Sequence, residues 1–132
     1  MASIFTRIVN GDIPSWKIAE SDDFYAFLDI NPLAKGQTLV IPKQEVDYVC
    51  DVDDDLLGRL MVFAKGVAKA LEQVVPCARI GVAVIGLEVP HCHIHLVPIN
   101  NVGDIDFSKP KLEFSKEEMQ ATAQAIQAAY NG

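Results

Sequence analysis

The chain has 132 residues, half of them hydrophobic, which suffices for one compact core and falls short of two ordinary domains. Its net charge of −7 excludes binding to nucleic acid or anionic lipid by overall attraction. No apolar stretch reaches the roughly 18–20 residues of a membrane span, and Met1 to Asp12 carries no secretory core. Cys50, Cys77 and Cys92 are odd in number and unevenly spaced, so the expectation is a reducing, cytoplasmic setting without a disulfide framework.

Taken in order, Ser3 to Val9 reads as a short helix, with Ser3 as cap and Asn10-Gly11 as stop. Ile4, Phe5 and Ile8 share one of its faces. Trp16–Glu20 and Phe24–Asp29 read as strands joined by Ser21-Asp22-Asp23, and Asp29-Ile30-Asn31-Pro32 breaks the pattern. Gln37–Ile41 is a third strand, closed by Pro42. The acidic run Glu45, Asp47, Asp51, Asp53, Asp54 and Asp55 reads as a solvated loop with helix caps, since it lacks EF-hand spacing. A helix from about Asp54 to Val75 follows, with Leu57, Leu60, Met61, Ala64, Val67, Ala68, Leu71 and Val74 at helical spacing. Arg79–Ile85 and His91–Val97 are the last strands. Asn100 to Glu113 is irregular surface, and a capping box at Ser115-x-x-Glu118 opens the final helix. The sum is a single α+β domain spanning 1–132: an antiparallel sheet of about five strands, with a long helix and a C-terminal helix on one face.

All three histidines fall at alternate positions, His91, His93 and His95. In extended backbone their rings project to one side, while Cys92 and Ile94 point to the other. Imidazoles titrate near pH 6.5, so such a row can supply an attacking nitrogen, donors for phosphoryl oxygens and a proton for a leaving atom. Zinc or copper held by two of these histidines is the competing reading. Against it, Cys92 faces the wrong way and no second cluster supplies further ligands.

The string His91-Cys92-His93-Ile94-His95-Leu96-Val97 resembles the signature of the histidine triad (HIT) family. Ile4 to Pro14, Ala26 to Pro32 and Gly36 to Lys43 are similar to three further blocks of that family, in order and spacing. The resemblance implies a HIT-like fold and a nucleotide site, closest to the branch that hydrolyses purine nucleoside phosphoramidates. It implies that His93 attacks the α-phosphorus and forms a nucleotidyl-histidine, that His91 orients and supports it, and that His95 contacts the phosphate and leaving group. It implies that Asp29 holds the ribose hydroxyls and that Phe5, Ile8, Phe27, Ile30 and Leu39 wall the purine pocket. A homodimer formed through a shared sheet is implied as well, with no cofactor. On local sequence alone, Asp29 reads equally as a turn former before Asn31-Pro32, and the apolar five read as ordinary core.

Departures from the family pattern sharpen these expectations. Two cysteines and a histidine that hold zinc in many relatives are here Ser3, Thr6 and Glu45, so no zinc is expected. A fourth histidine near the triad is replaced by Gln37. The usual lead-in to the triad becomes Gly86-Leu87-Glu88-Val89, placing a carboxylate near the phosphate. Strand parity puts Glu88 opposite the histidines, unless a bend at Pro90 turns it inward. Two alternatives follow within the nucleotide reading: a weakly or non-catalytic nucleotide-binding protein, and a dinucleoside polyphosphate hydrolase.

Overall fold

A computed structural model describes residues 2–132. Its elements are α1 (Ile4–Val9), β1 (Lys17–Glu20), β2 (Phe24–Leu28), β3 (Thr38–Pro42), α2 (Asp54–Val74), β4 (Arg79–Ala83), β5 (Ile94–Ile99) and α3 (Lys116–Ala129), with single 3-10 turns at Val49–Asp51 and Val102–Ile105. The five strands form one sheet in the order β1-β2-β3-β5-β4, and every neighbouring pair is antiparallel.

Alternation across this sheet sorts the chain onto two faces. Ala26, Leu28, Val40, Ile94 and Leu96 face the main core, which α2 closes with Leu60, Ala64, Val67 and Leu71 and α3 with Met119, Ala123 and Ile126. Tyr25, Phe27, Leu39 and Ile41 face the other way, against Phe5 and Ile8 of α1. The two long helices thus share the expected face, whereas α1 lies on the opposite one. That cover explains why β2 is buried at all five positions. On α2 the expected stripe holds at Leu60, Ala64, Val67 and Leu71, Leu56 and Ala70 join it, Leu57 packs half-buried against it, and Met61 is turned toward solvent.

Local chemistry accounts for the element ends. The Ser3 hydroxyl accepts from the Thr6 N–H, and Gly11, at φ +84°, takes the left-handed position after α1. Asp53 caps α2 through the Leu56 N–H. Ser115 and Glu118 exchange the reciprocal bonds expected of a capping box at α3.

The main boundary differences lie beside the histidines. β4 ends at Ala83 rather than Ile85, and β5 begins at Ile94 rather than His91. The segment before Ile94 finds no ladder: Cys92 donates to the Val46 carbonyl, and His91 turns back to the Val89 carbonyl. At the far end β5 runs on through Pro98, where the missing N–H is tolerated because pairing with β3 stops at Leu96.

The turn into β3 depends on Gly36, at φ +84°, where an added Cβ would sit 2.9 Å from both Leu71 Cδ1 and Val75 Cγ2. Gly11 has the same φ but open space around it. Gly36→Ala is therefore expected to cost about 2 kcal/mol or more, from overpacking added to backbone strain, and Gly11→Ala only about 1 kcal/mol. Denaturant melts of the two variants check this, and equal losses would contradict the packing argument.

Candidate functional site

Register builds the site. Phe27, Leu39, His95 and Ala83 are successive cross-strand partners from β2 through β3 and β5 to β4, so their side chains form a row on the face that α1 partly covers. His93 follows two residues before His95, and the rings of His93 and His95 lie 4.9 Å apart, edge to face. Phe5 of α1 stands edge-on to both His93 (5.1 Å) and His91 (5.9 Å). All three imidazoles lie on this face, and Cys92 and Ile94 pack into the main core.

A crevice with two lobes opens over the row. The apolar lobe, about 240 Å³, is walled by Phe5, Ile8, Phe27 and Leu39, with Ile4, Ile13 and Ile30 around it. The polar lobe, about 300 Å³, is bounded by Gln37, Lys111, Phe107, Ile85, Gly86 and Leu87. Asp29, Asn31, Glu88, His93 and His95 border both. A larger depression, about 590 Å³, lies open along β1, where Lys17 and Lys43 pair with Glu20 and no histidine takes part.

The structure therefore brings together every residue singled out from sequence except one. His91 is fully buried and borders neither lobe; it lies behind Phe5. Ile30 is 71% exposed, a rim rather than a wall. Glu88 does border both lobes, contrary to strand parity, because residues 84–93 form a loop in which parity has no force. Phe107 was not legible as a site residue: it is the lone aromatic of an irregular stretch, yet its ring lies 4.7 Å from that of His95.

Proton accounting fixes the imidazoles, because most of their partners can only accept or only donate. His93 Nδ1 lies 2.7 Å from the His91 carbonyl, so that nitrogen carries the proton and a neutral ring leaves Nε2 with a free lone pair. Gln37 presents its oxygen to the Leu33 N–H at 2.6 Å, which turns its amide nitrogen toward Asp29 Oδ2 (3.2 Å) and His95 Nδ1 (3.3 Å). That amide only donates, so His95 Nδ1 accepts and its proton sits on Nε2. The neighbouring rings thus hold opposite tautomers, one offering an acceptor and the other a donor. Behind them, His91 Nε2–H donates to the Pro42 carbonyl at 2.7 Å, and His91 Nδ1 accepts from Ser3 Oγ at 2.7 Å.

Burial sets the charge. It holds the His95 imidazole down to about 4, with His93 adding to the effect, and it lowers His91 as well. Both rings are therefore neutral at pH 7. Burial also pushes the Asp29 carboxyl above its ordinary value, although the Asn31 N–H donates to Oδ1 at 2.8 Å. Asp29 does make the turn before Pro32, and its other oxygen is shared between Gln37 and the crevice. Lys111 Nζ is spent on the Phe107 and Lys109 carbonyls.

Unfolded histidine takes up a proton near pH 6.5, whereas folded His95 waits until about 4. Across that window the unfolded state binds more protons, so stability is lost as pH falls through it. His91 acts in the same sense, and the raised carboxyl of Asp29 acts in the opposite one. Thermal melts from pH 7 to 4 are expected to show a steeper fall for the parent protein than for His95→Asn. Parallel curves would contradict a neutral His95.

A HIT-domain family model matches residues 10–102. The chain is 39% identical over 98 residues to the adenosine 5'-monophosphoramidase of Saccharomyces cerevisiae, a match covering 74% of this chain and 62% of that protein. To the adenosine 5'-monophosphoramidase of Schizosaccharomyces pombe it is 34% identical over 129 residues, 96% of each chain. Among solved structures, a Hit-like protein from Bartonella henselae, crystallised with an unknown ligand, gives a TM-score of 0.83 at 30% identity, covering 96% of this chain and 95% of that one. A Zn-bound histidine triad family protein from Mycobacterium smegmatis gives 0.83 at 26% identity, covering 98% and 94%.

Proposed function

The chain belongs to the HIT-domain family, and from that premise we propose that it hydrolyses purine nucleoside phosphoramidates through a nucleotidyl intermediate on His93. The observation that carries this reading is a pair of adjacent imidazoles on the floor of the crevice, one backed by a carbonyl and the other by an amide nitrogen, which assigns them opposite tautomers. An attacking nitrogen and a hydrogen-bond donor stand side by side, one lobe is apolar enough for a base, and Asp29 stands where the two lobes meet.

In this mechanism the base occupies the apolar lobe, and Asp29 accepts from the ribose hydroxyls. The lone pair on His93 Nε2 attacks the phosphorus. The P–N bond breaks with its electron pair going to the leaving nitrogen, which takes a proton from water in the polar lobe. The remaining hydroxide then attacks phosphorus, the P–Nε2 pair returns to His93, and the nucleoside monophosphate departs. His95, neutral, donates from Nε2 to a phosphoryl oxygen as charge builds there. The His91 carbonyl, accepting from His93 Nδ1, steadies the positive charge that the ring acquires in the intermediate.

Glu88 favours a phosphoramidate over a dinucleoside polyphosphate within this reading. A carboxylate bordering the phosphate lobe repels each added phosphate charge, and Lys111 is already engaged with carbonyls. The free edge of β4, with Val82, Val84 and Ile85 exposed along and beyond it, supports pairing with a second copy across a twofold axis. Among the described residues no helix is long and apolar enough to cross a membrane.

Turnover of adenosine phosphoramidate is expected to fall by about a thousandfold or more in His93→Ala, as for loss of a covalent nucleophile. Glu88→Gln is expected to improve kcat/KM for diadenosine polyphosphates more than for the phosphoramidate. No His93-dependent turnover, with tight AMP binding by calorimetry, would replace hydrolysis by nucleotide binding alone. Sedimentation equilibrium is expected to give a dimer for the parent protein, and a monomer for Val82→Lys.

A further inference from the structure

Six residues are too few to hold a helix in water without packing. Yet α1 supplies Phe5 and Ile8 to the apolar lobe, and Phe5 braces two of the three imidazoles. Its first turn is tied down by short hydrogen bonds. Glu45 Oε1 accepts from the Ser3 N–H and from the Thr6 hydroxyl, each at 2.7 Å. The Thr6 N–H donates to Ser3 Oγ at 3.0 Å, and Ser3 Oγ lies 2.7 Å from His91 Nδ1. Glu45 belongs to an exposed acidic run and is itself exposed, yet these bonds hold its carboxyl below the ordinary value.

Ser3, Thr6 and Glu45 stand where many relatives hold zinc, and their chemistry does not fit that ion. Two neutral hydroxyls replace thiolates, which makes a weak ligand set. Both hydroxyls and Glu45 Oε1 are already engaged with one another or with His91, and among the described residues no buried side-chain nitrogen or oxygen lacks a partner. The same place in the fold is closed by protons instead.

We propose that Glu45 is a positioning residue, which through Ser3 fixes the tautomer and orientation of His91 and so aims the His91 carbonyl at His93. The proton count is explicit. Thr6 gives its hydroxyl proton to Glu45, and Ser3 gives its backbone proton to the same oxygen. Ser3 Oγ receives the Thr6 N–H, so its own proton is free for His91 Nδ1, the nearer of its two acceptors; Thr6 Oγ1 is at 3.3 Å. With Nδ1 accepting, His91 Nε2 must carry its proton and donate to the Pro42 carbonyl. The ring is then pinned at both nitrogens, and the carbonyl of the same residue cannot swing away from His93 Nδ1. Without Glu45, Ser3 and Thr6 are released together, and Ser3 can turn its proton elsewhere.

The effect of Glu45 on rate rests on the hydrolase reading; its effect on His91 does not. Histidine ring nitrogens observed by NMR are therefore read beside kcat and the AMP dissociation constant in Glu45→Ala, Glu45→Gln and Ser3→Ala. The parent protein is expected to show His91 with a bare Nδ1 and a protonated Nε2. Glu45→Ala and Ser3→Ala are each expected to mix the two tautomers and to lower kcat about five- to tenfold, the scale of one lost hydrogen bond. Glu45→Gln, which keeps an accepting oxygen, is expected to stay within about twofold of the parent in kcat and to keep the parent nitrogen pattern. The proposal is overturned if Glu45→Ala keeps the parent nitrogen pattern, or if Glu45→Gln is as impaired as Glu45→Ala. A clasp that merely docks α1 would weaken AMP binding and lower Tm while leaving the His91 nitrogens unchanged. If the parent protein turns over no phosphoramidate, the hydrolase reading fails, and the nitrogen pattern alone decides the role of Glu45.

Discussion

The hydrogen bond from His93 Nδ1 to the carbonyl of His91 is the contact on which the site depends. A carbonyl can only accept, so one bond of 2.7 Å places a proton on His93 Nδ1 and, in the neutral ring, leaves Nε2 bare over the crevice. His95 is governed by the same logic with the sign reversed, because the partner that reaches its Nδ1 is the donating end of Gln37. Two chemically identical side chains, 4.9 Å apart, thereby take complementary roles. Their difference resides entirely in what stands behind each ring.

The supports for these partners come from distant parts of the chain. Gln37 is oriented by the Leu33 N–H and sits directly after Gly36, whose close approach to α2 fixes where β3 begins. The His91 ring is held between the Pro42 carbonyl at the end of β3 and Ser3 at the start of α1. Burial keeps the supporting rings neutral, which suits them to hydrogen bonding rather than to ion pairing. At the start of α1 a carboxylate and two hydroxyls form a chain of directional hydrogen bonds that ends on the first imidazole.

Most of the fold was legible because it follows from periodicity and capping. The α2 stripe, the Ser115–Glu118 box and the alternation of β2 and β3 each record a local rule that tertiary packing did not overturn. The histidine row was legible from its alternate spacing, although only His95 lies within a ladder. The same spacing hid the true start of β5: His91 and Cys92 donate to loop carbonyls, and no ladder forms before Ile94. Glu88 was legible from its place in the lead-in to the histidines, and the irregular segment after Ala83 supplies the inward turn that strand parity alone denies it. Residues whose roles come from long-range approach left little trace. Phe107 reaches His95 from an irregular stretch, and Glu45 reaches α1 across 39 or more residues of sequence.

Rapid quenching of the parent protein with adenosine phosphoramidate, followed by peptide mass spectrometry, tests the central claim most directly. The account predicts an adenylyl group on His93, carried by Nε2, that decays on exposure to water. An adenylyl group found on His95, or release of AMP with no protein-bound species under single turnover, would contradict it.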